Sequence, residues 1–320
     1  MSLMENQYPV VTRKAPTFYF IGVTTGKSSI MRVFPFWAAE LGRGDTVMKG
    51  VDLKIHDTRD AYRAAVAQIK EDPLSLGSLV TTHKIDLYEA AGDMFDSLDR
   101  YATLCGEISC ISKQEDGKLA GHAKDPLTAG MTLDSILGDG YFGRTGGSVL
   151  CFGAGGAAAA TVLHLIDKEL QDDRPRSLIV VNRSPGRLER LKSMVSKCTT
   201  DINIEYVCQN DALKNDALVE ALPEGSLVIN GTGMGKDIPG SPVTDTVVYP
   251  MNSVAWEFNY RGKLPFLRQA QSQKIARRLN VQDGWVYFLH GWTEVIAQVF
   301  HIEMTPALFD RLAALADSIR

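Results

Sequence analysis

The feature that most constrains the fold is a short apolar run, Ser148–Phe152, which ends directly at the turn Gly153-Ala154-Gly155-Gly156. An alanine-rich segment, Ala157–Leu170, follows the turn, and a second apolar run, Ser177–Val181, comes next. This order predicts a strand, a tight turn, a helix and a parallel strand. Such a turn lets backbone N–H groups approach a pyrophosphate at the helix N-terminus, so it predicts a dinucleotide site that includes Ala157. The alternative is a tight turn that binds nothing.

The end of the second strand distinguishes between the two nicotinamide cofactors. An NAD site usually places Asp or Glu there, to bind the ribose hydroxyls. The sequence here is Asn182-Arg183-Ser184-Pro185-Gly186-Arg187, with two arginines and no acid. Because the planar guanidinium group binds phosphate with two parallel, charge-assisted hydrogen bonds, we expect NADP rather than NAD. The alternative is that both arginines are solvated charges at the start of a helix.

A third glycine-rich segment, Asn230–Gly235, follows another predicted strand at Ser226–Ile229. The carboxyl ends of parallel strands meet at one edge of a sheet, so this loop is expected near the same cofactor. Its small residues would admit a flat ring close to the backbone. We therefore add Thr232, Gly233 and Met234 to the predicted cofactor site.

The N-terminal part of the chain also alternates between strands and helices, which predicts a parallel sheet. Two short runs around Asp116-Gly117 then predict a β-hairpin that leads to Asp125. The predicted elements are strands at Thr17–Ile21, Val51–Ile55 and Leu76–Val80, helices at Phe34–Leu41, Arg59–Glu71 and Lys84–Ala91, and hairpin strands at Glu107–Lys113 and Lys118–His122.

Composition limits the classes of function. A chain of 320 residues usually forms two domains, and a net charge of −4 without a long basic run argues against a nucleic-acid partner. The sequence has no apolar stretch long enough to span a membrane, and residues 1–14 lack the apolar centre of a secretory signal. Its five cysteines and six histidines show no metal-ligand spacing. We therefore expect a cytoplasmic protein without a metal site, either a monomer or a homodimer.

Two charged residues are candidates for proton transfer. Lys84 follows a predicted strand, and Asp125 follows the predicted hairpin. Oxidation of an alcohol needs a group that accepts the hydroxyl proton, and a lysine paired with an aspartate suits that role. Considered alone, either residue is more commonly a solvated surface charge.

Six segments resemble the shikimate dehydrogenase family, and they occur in the family's order. The first resembles the family motif N-V-T-x-P-x-K, which ends in a catalytic lysine. The second resembles a hairpin that begins with G-A-x-N-T and ends with G-x-N-T-D, whose last residue is a catalytic aspartate. The others resemble the cofactor turn, the N-R-T clamp for NADP, the I-N-x-T-x-x-G loop and the last G-x-x-M-L helix beside the nicotinamide. The segments are Leu79–Lys84, Gly106–Asp125, Gly153–Ala158, Asn182–Ser184, Ile229–Gly235 and the stretch from Gly284.

The resemblance implies that Lys84 and Asp125 are catalytic and that Gly284 belongs to the cofactor site. It also implies substrate contacts, because family members hold the carboxylate and hydroxyls of shikimate with polar residues at defined positions. The corresponding residues here are Ser28, Ser78, Ser109 and Tyr260. The family motifs are altered at seven positions, where this chain has Ile30, Ser78, Val80, Thr82, Ser109, Ala123 and Gly291 in place of the family residues. A site built for hydroxyls loses affinity when polar partners are removed, so a substrate other than shikimate is expected.

Taken together, these features predict an α/β protein with an N-terminal, mostly parallel substrate domain and a Rossmann-type NADP domain, separated by a cleft. The expected boundaries are 1–128 plus 283–320, and 129–282. The predicted function is an NADP-dependent oxidoreductase of the shikimate dehydrogenase kind, in aromatic amino acid biosynthesis, acting on a small cyclic hydroxy acid. Alternatives are the same scaffold acting on quinate or another substrate, a folate-type dehydrogenase, and a non-catalytic NADP-binding sensor.

Overall fold

The computed structural model describes residues 8–167, 173–236 and 238–320. These residues form two compact units, one that runs up to Lys124 and includes Gly291–Arg320, and one that comprises Asp125–His290. Each unit contains a six-stranded sheet, which confirms the predicted α/β class.

The sheet of the first unit is mixed. Its spatial order is β2-β1-β3-β5-β6-β4, with β2, β1 and β3 parallel to one another and β5 antiparallel to both β3 and β6. The β5–β6 pair is the predicted hairpin. The strands are β1 Thr17–Gly22, β2 Val47–Asp52, β3 Ser75–Val80, β4 Ser97–Leu98, β5 Cys110–Lys113 and β6 Leu119–His122.

Every residue of β1 is buried, because helices cover both faces of this sheet. Tyr19 and Ile21 face one core cluster, while Phe18 packs against Phe34 and Phe300 with ring centroids 5.6 and 6.1 Å away. The helices of the unit are α1 Ile30–Glu40, α2 Arg59–Glu71, α3 Lys84–Ala91, α4 Arg100–Cys105 and α13 Pro306–Asp317, and α12 Trp285–Phe300 is divided between the units after His290.

The sheet of the second unit is parallel throughout. Its order, β9-β8-β7-β10-β11-β12, is the doubly wound 3-2-1-4-5-6 arrangement of a Rossmann domain. The strands are β7 Val149–Phe152, β8 Ser177–Asn182, β9 Asn203–Cys208, β10 Leu227–Asn230, β11 Val254–Glu257 and β12 Asn280–Gln282. The helices are α5 Asp125–Leu137, α6 Tyr141–Thr145, α7 Gly156–Ile166, α8 Pro185–Val195, α9 Ala212–Glu220, α10 Pro265–Ser272 and α11 Lys274–Arg277.

Some sequence-based bounds were wrong. The strand expected at Val51–Ile55 lies at Val47–Asp52, at the edge of the sheet, where no residue is fully buried. Gly130 lies within α5, where a Cβ on it would lie 2.2 Å from the ring of His164. That glycine therefore permits close packing of α5 against α7. The end of the helix expected at Ala157–Leu170 falls outside the described residues.

Candidate functional site

The strand order of the second sheet reverses between β7 and β10, and doubly wound sheets bind ligands in the crevice at this point. The loops that leave these two strands begin at Gly153 and Gly231. Gly153 has a φ of +110°, and a Cβ there would lie 2.5 Å from the carbonyl oxygen of Gly231. The two backbones approach so closely that a side chain at Gly153 is excluded.

Gly155 has a different role, because it is the N-cap of α7 and a Cβ on it would meet nothing within 4 Å. As a glycine, this N-cap residue has no side chain to accept a hydrogen bond from the helix. The first N–H groups of a helix lack intrahelical partners and carry a partial positive charge. Open space above these donors fits a pyrophosphate group.

A cavity of about 480 Å³ lies along this edge of the second sheet. It brings together nine of the thirteen residues that the sequence assigned to the cofactor: Gly153, Ala154, Gly155, Asn182, Arg183, Ser184, Arg187, Thr232 and Met234. The other four, Gly156, Ala157, Gly233 and Gly284, are not part of its lining.

The charge of the cavity comes from Arg183 and Arg187, which are both exposed. Among the described residues, neither guanidinium forms an ion pair, and no Asp or Glu lines the cavity. Asn182 shapes the turn between them, since its Nδ2 donates to the carbonyl oxygen of Ser184 at 3.0 Å. The positive charge of both arginines is thus available to an anion.

Several residues of the lining were not predicted from the sequence. Gln209 and Asn210 follow the end of β9, at the same edge of the sheet as Asn182. Asn215 lies in α9 and donates through Nδ2 to the carbonyl oxygen of Pro242 at 2.7 Å. A polar pair directly after a strand was a signal that could have identified the first two. The remaining missed residues are Phe152, Val181, Ala212, Gly231, Ile238, Pro239, Ser241 and Pro242.

The loop after β10 is held by side-chain hydrogen bonds. Asn230 Oδ1 accepts from the hydroxyl and the main-chain N–H of Thr232, at 2.6 and 3.2 Å. Thr232 Oγ1 in turn accepts from the N–H of Met234 at 3.1 Å. This chain of bonds fixes the two loop residues that line the cavity.

Gly284 has a packing role in this structure. A Cβ on it would lie 1.9 Å from the carbonyl oxygen of Phe258, and its N–H donates to the carbonyl oxygen of Asn259 at 3.2 Å. The chain before α12 therefore passes directly against the segment that follows β11, which only glycine allows.

The two predicted proton-transfer residues begin helices. Lys84 is the first residue of α3, directly beyond the carboxyl end of β3, and Asp125 is the first residue of α5. Both are half-buried. Because Lys84 belongs to the first unit and Asp125 to the second, their pairing stays a prediction.

The turn that presents Lys84 is strained. Thr82 has a φ of +59°, which is rare for a β-branched residue. A proline, the family residue at this position, requires a φ near −65° and does not fit this backbone. The next residue, His83, is fully buried, and its Nδ1 lies 3.2 Å from the hydroxyl of Tyr62. The buried imidazole anchors the turn immediately before Lys84.

The four predicted substrate residues lie in different environments. Ser28 and Tyr260 are half-buried, and Tyr260 packs on Phe288 with ring centroids 4.8 Å apart. Ser78 is fully buried within β3, and its Oγ has no hydrogen-bond partner in the described part of the chain. Ser109 Oγ accepts from the main-chain N–H of Lys124 at 2.7 Å. Ser109 therefore fixes the backbone next to Asp125.

Within residues 8–167, 173–236 and 238–320, no three His, Cys, Asp or Glu side chains come together as metal ligands do. No helix in these ranges combines the length and the hydrophobicity that a bilayer crossing requires.

Two curated proteins are similar to this chain in sequence. Shikimate dehydrogenase (NADP(+)) of Methylobacterium radiotolerans is 28% identical over 242 residues, which cover 74% of this chain and 77% of that protein. The protein of the same name from Alkaliphilus oremlandii is 26% identical over 222 residues, covering 68% and 72%. No protein-family model matches the chain.

A solved structure shares the fold over nearly the whole chain. Quinate dehydrogenase from Corynebacterium glutamicum, in complex with NAD, superposes with a TM-score of 0.73 at 18% identity and covers 95% of this chain and 99% of that protein. At this identity the likeness establishes the fold alone. The two curated relatives support a divergent member of the shikimate dehydrogenase family.

Proposed function

We propose that this protein is an NADP-dependent oxidoreductase that transfers a hydride between the cofactor and a secondary alcohol of a cyclic hydroxy acid. One observation carries the choice of cofactor: the cavity at the switch point contains two arginines without ion pairs and no acid among its described lining. The names of both curated relatives include NADP(+). The quinate dehydrogenase that shares the fold is in complex with NAD, so the fold alone does not favour NADP. The support for NADP comes from the positive charge of Arg183 and Arg187 in the cavity.

The residues of the cavity have distinct proposed roles toward the cofactor. The open N-terminus of α7 at Gly155 receives the pyrophosphate. Arg183 and Arg187 bind the 2′-phosphate, and Thr232 and Met234 lie toward the nicotinamide. When bound, NADP supplies the ring that exchanges a hydride with the substrate.

Lys84 and Asp125 are the proposed acid–base pair. In the oxidative direction, Lys84 accepts the proton of the substrate hydroxyl and Asp125 assists it. His83 holds the turn before Lys84 in place, so the lysine needs little reorganisation on substrate binding. We infer that the unit containing Lys84 binds the substrate and that the unit Asp125–His290 binds NADP.

We further propose that the substrate is not shikimate itself. Ser78 occupies a family asparagine position, yet it is fully buried within its strand. Ser109, at another family asparagine position, accepts a hydrogen bond from the main-chain N–H of Lys124. Neither hydroxyl is well placed to replace the amide that the family uses, so the polar contacts of the substrate must differ.

A panel assay tests the function. NADP⁺ reduction is followed by the absorbance of the reduced nicotinamide with shikimate, quinate and other cyclic hydroxy acids, and it is repeated with NAD⁺. We expect NADP⁺-dependent turnover with a panel member other than shikimate. Efficient turnover of shikimate would refute the substrate proposal, and a preference for NAD⁺ would refute the assignment of the arginines. Tight NADP⁺ binding without turnover of any panel member would favour the sensor alternative.

A further inference from the structure

The loop after β10 depends on a buried carboxylate that lies outside the cavity. Glu257 is the last residue of β11, it is fully buried, and it is not part of the cavity lining. Its Oε2 accepts from Asn230 Nδ2 at 2.6 Å. Its Oε1 accepts from the main-chain N–H and the Nδ2 of Asn259, at 2.8 and 2.6 Å.

Both asparagines connect this carboxylate to the loop. Asn230 binds Thr232 through its Oδ1, as described above. Asn259 Nδ2 also donates to the carbonyl oxygen of Met234, at 3.3 Å. The amide orientation of Asn230 follows from this arrangement, because its nitrogen faces Glu257 and its oxygen must then face the Thr232 donors. Glu257 thereby determines how the loop presents both residues to the cavity.

We propose that Glu257, in its ionised form, is the positioning residue for the Thr232–Met234 segment of the cofactor cavity, and that NADP affinity depends on it. The proposal rests on the proposed function, since it assumes that NADP occupies the cavity. It concerns a residue that does not itself line that cavity.

The hydrogen bonds favour the ionised form, since all three partners are donors. Burial opposes ionisation and raises the pKa of Glu257 to about 7, while the bonds from Asn259 and Asn230 act to lower it. The negative charge of Asp283 raises this pKa further, and Glu257 in turn helps to raise the pKa of the buried Tyr249 hydroxyl. A proton on Glu257 would face a donor, so the loop should loosen as the pH falls through about 7.

Glu257→Gln tests the proposal, because glutamine keeps the shape and removes the ionisation. NADP⁺ dissociation constants are measured by calorimetry for the variant and the wild type between about pH 6 and about pH 8.5. We expect the variant to bind about tenfold more weakly at the upper end, with the ratio of the two constants falling toward one at the lower end. The ratio cancels the titration of the cofactor's own phosphate.

Two further variants complete the experiment. Glu205→Gln removes the same charge from an exposed site on β9 of the same sheet, and it should bind like the wild type at every pH. Asn259→Ala removes one donor, leaves Glu257 in place and does not change the cavity lining. It should weaken binding by about threefold, and it serves as the test if Glu257→Gln does not fold.

The outcomes separate this proposal from the proposed function. Wild-type affinity in both Glu257→Gln and Asn259→Ala, or an affinity ratio that does not change with pH, overturns the positioning role and leaves the cofactor assignment intact. A wild-type protein that does not bind NADP⁺ at any pH overturns the proposed function as well.

Discussion

The two sheets present their ligand edges in different ways. The edge of the second sheet forms a complete cavity within one unit, built from glycine turns, a helix N-terminus and two exposed arginines. The corresponding residues of the first unit do not form such a set: Ser78 is buried in its strand, Ser109 binds the backbone, and Lys84 follows a strained turn.

This difference shows which part of a divergent enzyme is constrained by backbone geometry. A pyrophosphate site requires close backbone approach and open N–H donors, which few residues other than glycine allow. A substrate pocket is formed by side chains, and these can be exchanged without changing the strand order. We therefore expect the cofactor edge to tolerate few substitutions and the substrate edge to tolerate many outside its catalytic residues.

The largest effect is expected at Lys84. Lys84→Ala should lower kcat by roughly 10²- to 10⁴-fold, because general-base assistance contributes about that much to proton transfer. The dissociation constant for NADP⁺ should not change, since all of the described residues that line the cavity belong to the second unit. Steady-state kinetics with the active panel substrate and NADP⁺ calorimetry measure the two quantities. Lys49→Ala, an exposed lysine on β2, is the matched control, and unchanged turnover in Lys84→Ala would contradict the catalytic role.

The second prediction compares two glycines of one turn. Gly153→Ala should lower the free energy of unfolding by about 3 kcal/mol, because its Cβ would overlap the backbone of Gly231 in a left-handed conformation. Gly155→Ala should leave stability within about 1 kcal/mol, since its Cβ meets open space, and should weaken NADP⁺ binding instead. Urea denaturation and calorimetry distinguish the two. Equal stability losses would show that the turn is only a structural feature.

The sequence indicated the residues that line the cavity of the second sheet better than it indicated the environments of Ser78 and Ser109, for a physical reason. Gly153 and Arg183 follow strands directly, so their positions depend on local structure alone. The network of Glu257 joins residues 27 positions apart in the chain, and no local pattern indicates such a pairing. The burial of Ser78 depends on the packing of β3 under helices, which a strand pattern does not specify.

The third prediction concerns cofactor choice. Arg183→Ala and Arg187→Ala should each weaken NADP⁺ binding by roughly ten- to thirtyfold while changing NAD⁺ binding little, since a charge-assisted bond to phosphate contributes about 1.5–2 kcal/mol. Lys197→Ala removes an exposed positive charge beyond α8 and controls for a general electrostatic effect. Dissociation constants for both cofactors are measured side by side. Equal weakening for NADP⁺ and NAD⁺ would mean that the arginines do not bind the 2′-phosphate.

The smallest effect is expected at the strained turn of the first unit. Thr82→Gly should raise the free energy of unfolding by about 0.5 kcal/mol, because relief of the left-handed strain slightly exceeds the entropy that glycine loses on folding. Thr24→Gly, at a φ of −144°, has no strain to relieve and should lower stability by a similar amount. Urea denaturation measures both. If Thr82→Gly also lowers kcat, the strained backbone contributes to the placement of Lys84. The substrate edge would then depend on backbone geometry, as we expect of the cofactor edge. A stability loss in Thr82→Gly would instead show that the threonine side chain itself stabilises the turn.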